Sequence, residues 1–553
     1  MTSTAYRKQS LTGWGRSGRS RSRVTSPGDD ETWAALFAHP GARGVTLRGL
    51  GRSYGDAALN SGGVVASTGA QSTAHLDVTT GELVADGGAS IATILRTTVP
   101  MGWTLPVLPG TAHVTLGGAV AADVHGKNHV GAGSFSTAVR DVVLVSPGQG
   151  PRTVSREQDP DAFWATVGGL GMTGLVRRVR LQLEPISSSR LLERSVAYPD
   201  LDSVLAAVSE ADAVQHVVAW LDGHAGGASN GRGVVSVARH LAADELPQKL
   251  AREPLRYSRR PGLPSMTPGL IDMVRPGLVR LYNERKLTAA NRRNDPRIGS
   301  FAQVFHPLDA VRDWPRWYGP SGFIQYQFAV PPGQEQLLGR SLELLRGAGV
   351  APALVVLKRL GAANPAPLAF PGPGWTLALD LPGRALDVLR PVLDLLDGEV
   401  AAAGGRVYLV KDSRLRRDVV PAMYPDRGRW LQVRQRLDPE GVLTSDLARR
   451  LGLDGRSSGS RRRTAVGSTR STVPTTASGR GTQTTDGGRG RASASATASA
   501  TAPGVVANGA GGRPAVMAEV TNPGRTTRTR TPLWVRRSPS PRKNASSPAF
   551  VEP

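Results

Sequence analysis

The stretch Val45–Asn60 sets a β-branched run, Val45–Leu47, directly against a glycine-rich turn, GLGRSYGD. Gly49, Gly51 and Gly55 carry no Cβ and tolerate positive φ, so successive backbone N–H groups can converge on one anion. Such a turn grips a pyrophosphate, which points to a nucleotide cofactor. Two more glycine-rich segments follow, PVLPGTAHVTLGGAVAADVHGKNH and ATVGGLGMTGLV. The latter contains Gly169-Leu170-Gly171-Met172-Thr173-Gly174, a formal GxGxxG. A Rossmann turn follows a strand and opens a helix, whereas here helix-like AFWATVGG precedes the glycines and a strand pattern follows, so that reading is set aside. His125 and His129 have the spacing of a helical metal pair. Gly126 and Asn128 argue against a helix and no carboxylate motif accompanies them, so metal binding is not expected. Gln325 and Gln327 alternate with Tyr326 and project from one strand face. Lys411 ends the predicted strand VYLVKDS, where it reads on its own as a lysine in solvent.

These residues must be positioned by two kinds of region. In the first half, Val45–Leu47, Gly63–Ser67, Leu83–Asp86 and Val139–Val145 read as strands, Ser90–Thr98 and Asp161–Val167 as helices, and Gly174–Glu184 as a half-exposed strand. Pro185 and Ser187–Ser189 mark a boundary. From about Ser321 to Ser413 the order is strand, helix, strand, strand, helix, strand, the split βαβ or ferredoxin-like arrangement. The organisation expected is a flexible N-terminus over 1–10, a cofactor domain over 11–186, a substrate domain over 187–405, a return to the first domain over 406–454 and a tail over 455–553.

The tail is Ser, Thr, Gly, Ala, Pro and Arg with hardly an apolar cluster, so it cannot offset its ordering entropy and is expected to be disordered. It carries +13 of the formal net charge of +24. Together with Arg16, Arg19, Arg21 and Arg23 it reads as a solvated basic appendage, and no specific nucleic acid is expected. Residues 252–300 hold eleven basic side chains against four acidic ones among scattered apolar residues. That mixture suits a surface loop or helix lying on an anionic bilayer, or a mobile lid over the site. The chain contains no cysteine, which excludes disulfides, thiolate metal sites and cysteinyl-linked cofactors. No secretory signal or spanning apolar run is visible, so the protein reads as soluble or peripheral.

The three glycine segments resemble in order and wording the flavin-binding domain of the vanillyl-alcohol oxidase superfamily, and GWGR, LPVLPGT, AGSF, FWATVGG, HPLD, YGPSGFIQYQF, KDSR, AMYP and SDLARRL resemble the motifs of one family within it. Within it the chain resembles the decaprenylphosphoryl-β-D-ribose oxidase family from about Thr12 to Leu453. The resemblance implies an α+β fold: a PCMH-type FAD-binding domain of two subdomains, then the ferredoxin-like substrate domain. It implies FAD contacts from Gly49, Gly51, Arg52, Ser53, Tyr54 and Gly55, from Gly110, Thr111, Thr115, Gly117 and Gly118, and from His125, Gly174 and Val176. Arg52 stands where several members carry a flavin-linking histidine, so the FAD is expected to be non-covalent.

Oxidising an alcohol through a flavin requires the carbinol hydrogen over the ring and a group for the hydroxyl proton. By resemblance Lys411, Tyr54 and His125 take those catalytic roles. Lys127, Trp220, Phe305, Gln325, Gln327, Lys358, Thr376 and Ala378 take substrate-binding ones, Lys127 on the phosphate side. Ala378 replaces a cysteine and Thr376 an asparagine of well-known members. The implied reaction converts a polyprenyl-phosphoryl pentose to its 2′-keto form, with an NAD(P)-dependent short-chain reductase as partner and a quinone or dioxygen as reoxidant. The place of work is the inner-membrane surface, on the cytoplasmic or the periplasmic side. The alternatives are a soluble sugar-lactone oxidase of the D-arabinono-1,4-lactone type, a non-catalytic flavoprotein and a tail-led nucleic-acid binder.

Overall fold

The computed structural model describes residues 5–69, 72–211, 216–257, 272, 274–292 and 295–455, with the backbone of 534–536. β1 (Arg7–Thr12), β2 (Arg19–Thr25), β3 (Val45–Arg48) and β4 (Val64–Ser67) form a sheet of order β1-β2-β4-β3, antiparallel at β1–β2 and parallel elsewhere. The chain is therefore ordered from Arg7, within the segment expected to be flexible, because β2 supplies its backbone partners. Arg19, Arg21 and Arg23 are the exposed face of β2, and the alternating Ser20 and Ser22 point inward. This arginine run is one side of a strand rather than a solvated arm.

β5 (Ala74–Asp77), β6 (Glu82–Asp86), β7 (Trp103–Thr104), β8 (Val139–Ser146), β9 (Gln149–Ser155), β10 (Leu175–Gln182) and β11 (Glu184–Pro185) follow. They build a sheet of order β5-β6-β10-β8-β9 and the small pair β11-β7. The helix Leu116–Ala122 starts at Thr115, whose Oγ1 accepts from the Gly118 amide at 3.1 Å. Helix Pro160–Thr166 precedes Gly169–Gly174 and β10 follows it, the reverse of a Rossmann unit.

The third sheet holds β12 (Arg190–Tyr198), β13 (His216–Leu221), β14 (Gly233–His240), β15 (Arg297–Ser300), β16 (Phe323–Val330), β17 (Leu354–Leu360), β18 (Gly374–Pro382) and β19 (Arg406–Val407). Its order is β15-β12-β14-β13-β17-β18-β16-β19, antiparallel throughout. The part β17-β18-β16-β19 has the split βαβ order. It is half of a wider sheet, however, since the free edge of β17 is paired by β13 instead of being left open. Helices Gln336–Gly347 and Leu386–Ala402 cover one face, burying Leu338, Leu342, Leu345, Leu389, Leu393 and Leu396 against Leu357, Leu377 and Phe328. Each such leucine contributes roughly 1.5–3 kcal/mol. The opposite face carries Gln325, Gln327, Lys358 and Ala378 by strict alternation, and is left for the site.

One segment differs from expectation. Of VYLVKDS only Arg406–Val407 is strand. The chain then turns, with Lys411 N–H on Tyr408 O at 2.9 Å and Asp412 N–H on Leu409 O at 3.1 Å. The Asp412 carboxylate ends the turn by accepting from the amides of Arg414 and Leu415. Within residues 252–300, Pro276–Arg292 is a helix whose Leu287 and Ala290 pack on Trp220 and Val234. The stretch 439–454 runs back along β3, with Val45 N–H on Val442 O at 2.8 Å and Thr444 N–H on Val45 O at 2.9 Å. No helix among the described residues is long and apolar enough to cross a membrane. Beyond Gly455 the tail lies outside the described residues except for the strand Trp534–Arg536, which pairs parallel with β5.

Candidate active site

A cleft of about 320 Å³ runs between the loop leaving β3, the segment 109–125 and the open face of the third sheet. Gly51 adopts φ of +65° at the turn, and a Cβ on Gly49 would lie 2.4 Å from Thr115 Oγ1, so the first two glycine strips touch. Among the described residues, the amides of Leu50, Gly51, Arg52 and Ser53 donate no hydrogen bond. The Arg52 guanidinium stacks on Trp14 at 3.8 Å, while its buried Nε has no partner. Thr111 Oγ1 and the Ala112 amide both donate to Asp309, at 2.7 and 2.9 Å, which pins the strip Gly110–Thr111. Gly117, Gly118, Gly174 and Val176 continue the lining. Idle backbone donors beside a half-buried cation, in a long trough with apolar walls at Leu47, Val124 and Val410, fit an extended dinucleotide such as FAD.

Polar side chains gather where the trough meets the sheet. Lys411 Nζ lies 3.8 Å from the Tyr54 ring centroid and donates to Gln325 Oε1. Gln325 Nε2 in turn donates to Asp380 Oδ1 at 2.5 Å. Burial lowers the Lys411 ammonium to about 7 against the pull of Asp380, with Lys358 lowering it further. The Tyr54 phenol is raised, first by burial and then by Asp380, so it stays protonated.

His125 Nε2 lies 3.1 Å from Gln327 Nε2. An amide nitrogen only donates, so His125 accepts there and carries its proton on Nδ1. Burial first, then Lys358, His129 and Lys411, hold it well below its ordinary value and hence neutral. Its ring packs on Tyr408 and Phe370 at 5.3 and 5.6 Å. Lys358 lies 3.5 Å from Gly126 O and is lowered to about 8 by burial and then by Lys127.

Gly49, Gly51, Arg52, Ser53, Tyr54, Gly110, Thr111, Thr115, Gly117, Gly118, His125, Gly174, Val176, Gln325, Gln327, Lys358, Ala378 and Lys411 all border the cleft, whereas five expected residues do not. Gly55 is a packing glycine against Asp412. Thr376 sits behind Gln327, bonded to it at 3.1 Å. Lys127 donates to Val304 O at 2.5 Å and is lowered to about 8 by burial. Trp220 is covered by Lys286 of the helix Pro276–Arg292, 4.4 Å from its ring. Phe305 belongs to a cluster with His216, His240 and Phe301. Sequence reasoning missed Asp309, Asp380 and Tyr408. The HPLD motif and the Asp380 position, two residues along the strand face from Ala378, were the available signals.

The chain matches the FAD binding domain family over residues 23–152. It is 36% identical over 454 residues to decaprenylphosphoryl-β-D-ribose oxidase of Mycolicibacterium smegmatis, an alignment spanning 80% of this chain and 97% of that protein. An uncharacterized Streptomyces coelicolor protein is 40% identical over 366 residues, 64% of this chain and 97% of that one. The mitochondrial L-galactono-1,4-lactone dehydrogenase 2 of Oryza sativa subsp. japonica is 28% identical over 149 residues, 27% of this chain and 25% of that one.

Proposed function

Because the chain belongs to the decaprenylphosphoryl-β-D-ribose oxidase family of FAD-dependent oxidoreductases, we propose that it oxidises decaprenylphosphoryl-β-D-ribose, or a related polyprenyl-phosphoryl pentose, at C2′ to the 2′-keto sugar. Bound FAD supplies the hydride acceptor. The backbone donors of Leu50–Ser53 and the Arg52 guanidinium hold the pyrophosphate, without a covalent link. Lys411, neutral in part near pH 7, accepts the proton of the 2′-hydroxyl while Gln325 and the Tyr54 ring fix its amine. Gln327, its amide fixed by neutral His125 and Thr376, orients the remaining hydroxyls by a hydrogen bond.

The observation that carries this reading is the Lys411 amine, held against Tyr54 and Gln325 at the end of a dinucleotide-shaped trough. Lys358 borders the same end and Lys127 lies behind it, two buried cations suited to a phosphate. Lys127 has Glu193 as a charge neighbour, whereas Lys358 has burial and Lys127 against it, so a neutral lactone would offer Lys358 no counter-charge, which disfavours the sugar-lactone alternative. A short-chain NAD(P)-dependent reductase then returns hydride to the ketone from the other face.

The lipid tail implies contact with a membrane surface. The helix Pro276–Arg292 supports it: Leu278, Leu281 and Tyr282 share one stripe and are 50%, 49% and 60% exposed. Arg285 lies on the same exposed stripe, while Glu284 is taken up by Arg232. The test is anaerobic addition of the polyprenyl-phosphoryl ribose to the flavin-loaded protein. Loss of the flavin's visible absorbance is expected with that substrate and not with an aldonolactone.

A further inference from the structure

Asp380 is a buried carboxylate, 1% exposed, whose carboxyl burial raises above the usual range against the opposing pull of Gln325 and Lys411. It stands directly across from Gln325 in the β16–β18 register, on the face that otherwise carries Ala378 and Thr376. Its partners are Gln325 Nε2 at 2.5 Å and the Tyr318 hydroxyl, 3.5 Å from its other oxygen. The Tyr318 ring is itself fixed by stacking on Phe323 at 4.4 Å.

A carboxylate only accepts, so the amide of Gln325 must turn its NH₂ toward Asp380 and its Oε1 toward Lys411. Lys411 is then obliged to donate one N–H to Gln325, in either protonation state, which leaves the lone pair of the neutral amine free for the cleft. With the amide reversed, Gln325 Oε1 would face the Asp380 carboxylate, acceptor against acceptor, and the neutral amine would spend its lone pair accepting from Gln325 Nε2 instead of offering it to the cleft.

We propose that Asp380 is a positioning residue for the oxidation: its charge fixes the orientation of the Gln325 amide, which aims the Lys411 amine at the sugar hydroxyl. This rests on Lys411 as the proton acceptor. No proton moves through the amide; the 2′-hydroxyl proton goes to Lys411 and stays there until released to solvent. The groups facing Lys411 are Gln325 and Asp380 from the sheet, Tyr54 from the first glycine loop, Lys358 from β17, and His125. Asp412, next in the chain, is engaged by Arg450 at 2.8 Å and by the amides of Arg414 and Leu415.

The experiment is Asp380→Asn, read in two ways. First, the pH midpoint of Lys411 acetylation by acetic anhydride is followed by peptide mass spectrometry on apo and flavin-loaded protein. Second, the pH profile of kcat/KM is measured. The proposal expects the acetylation midpoint to fall by about one pH unit, because an attracting charge is removed. The acid limb of kcat/KM should move the same way, with kcat roughly tenfold lower and KM changed little. Lost activity with an unmoved midpoint and limb would make Asp380 merely structural and overturn the proposal. Should that variant fail to fold, Gln325→Met serves: unchanged kcat and midpoint would overturn it equally. Lys411→Ala with normal turnover would instead overturn the parent reading, and so tells the two failures apart.

Discussion

Gly55 and Asp412 are packed back to back: a Cβ on Gly55 would lie 1.8 Å from the Asp412 carbonyl oxygen. The Tyr54 amide also donates to Val410 O at 3.1 Å, so the first glycine loop and the turn bearing Lys411 form one unit. The contact is with backbone and cannot be relieved by a rotamer. Gly55→Ala is therefore expected to displace the Lys411 turn, lowering the melting temperature and cutting kcat at least tenfold. Thermal unfolding and steady-state rates check this; native values for both would show that the two loops are not tightly coupled.

Lys411→Ala should keep its flavin, since the amine does not contact the phosphate strip, and should lose about 10²–10⁴-fold in the rate of substrate-dependent flavin reduction. Stopped-flow absorbance at constant flavin content is the check. The base is the neutral amine and its value is lowered to about 7. In the wild type, kcat/KM should thus rise with pH through that region and level off above it.

Lys358→Met should raise KM for the polyprenyl-phosphoryl sugar by about tenfold and leave KM for an uncharged alkyl riboside unchanged, if this cation serves the phosphate. Lys127→Met, changing a lysine tied to Val304 O behind the cleft, should do the same. Equal effects on both substrates would indicate a packing role.

His216 and His240 face each other at 5.5 Å and are lowered from 6.5 to about 3 and about 4, chiefly by burial. Below about pH 6.5 the unfolded chain binds protons that the folded protein does not, so stability falls as pH drops, by up to about 1.4 kcal/mol per pH unit for each linked group. Melting temperatures between pH 7 and 4 should fall, and the double variant His216→Phe, His240→Phe should flatten the slope.

Local pattern made the glycine loops, the strand face bearing Gln325 and Gln327, and the split βαβ order legible, because period two and glycine turns are short-range signals. The wider sheet was not, since the pairing of β13 with β17 joins residues more than a hundred positions apart. Lys411 was read onto a strand because VYLV alternates well, but the Asp412 carboxylate captures two amides and ends the strand early. Trp220 and Phe305 are aromatic and near the site in sequence order, yet a helix and a histidine cluster cover them. Asp380 was passed over for the opposite reason: a lone acid in WTLALDL reads as a strand end, and its place two residues from Ala378 gains meaning only when the register sets it across from Gln325.

The most direct measurement is anaerobic mixing of the flavin-loaded protein with decaprenylphosphoryl-β-D-ribose, followed at the flavin's visible band. Stoichiometric bleaching is expected in the wild type, with formation of the 2′-keto sugar, and bleaching slowed at least about a hundredfold in Lys411→Ala. A wild-type flavin that stays oxidised, or a Lys411→Ala protein that bleaches at the wild-type rate, would contradict that expectation.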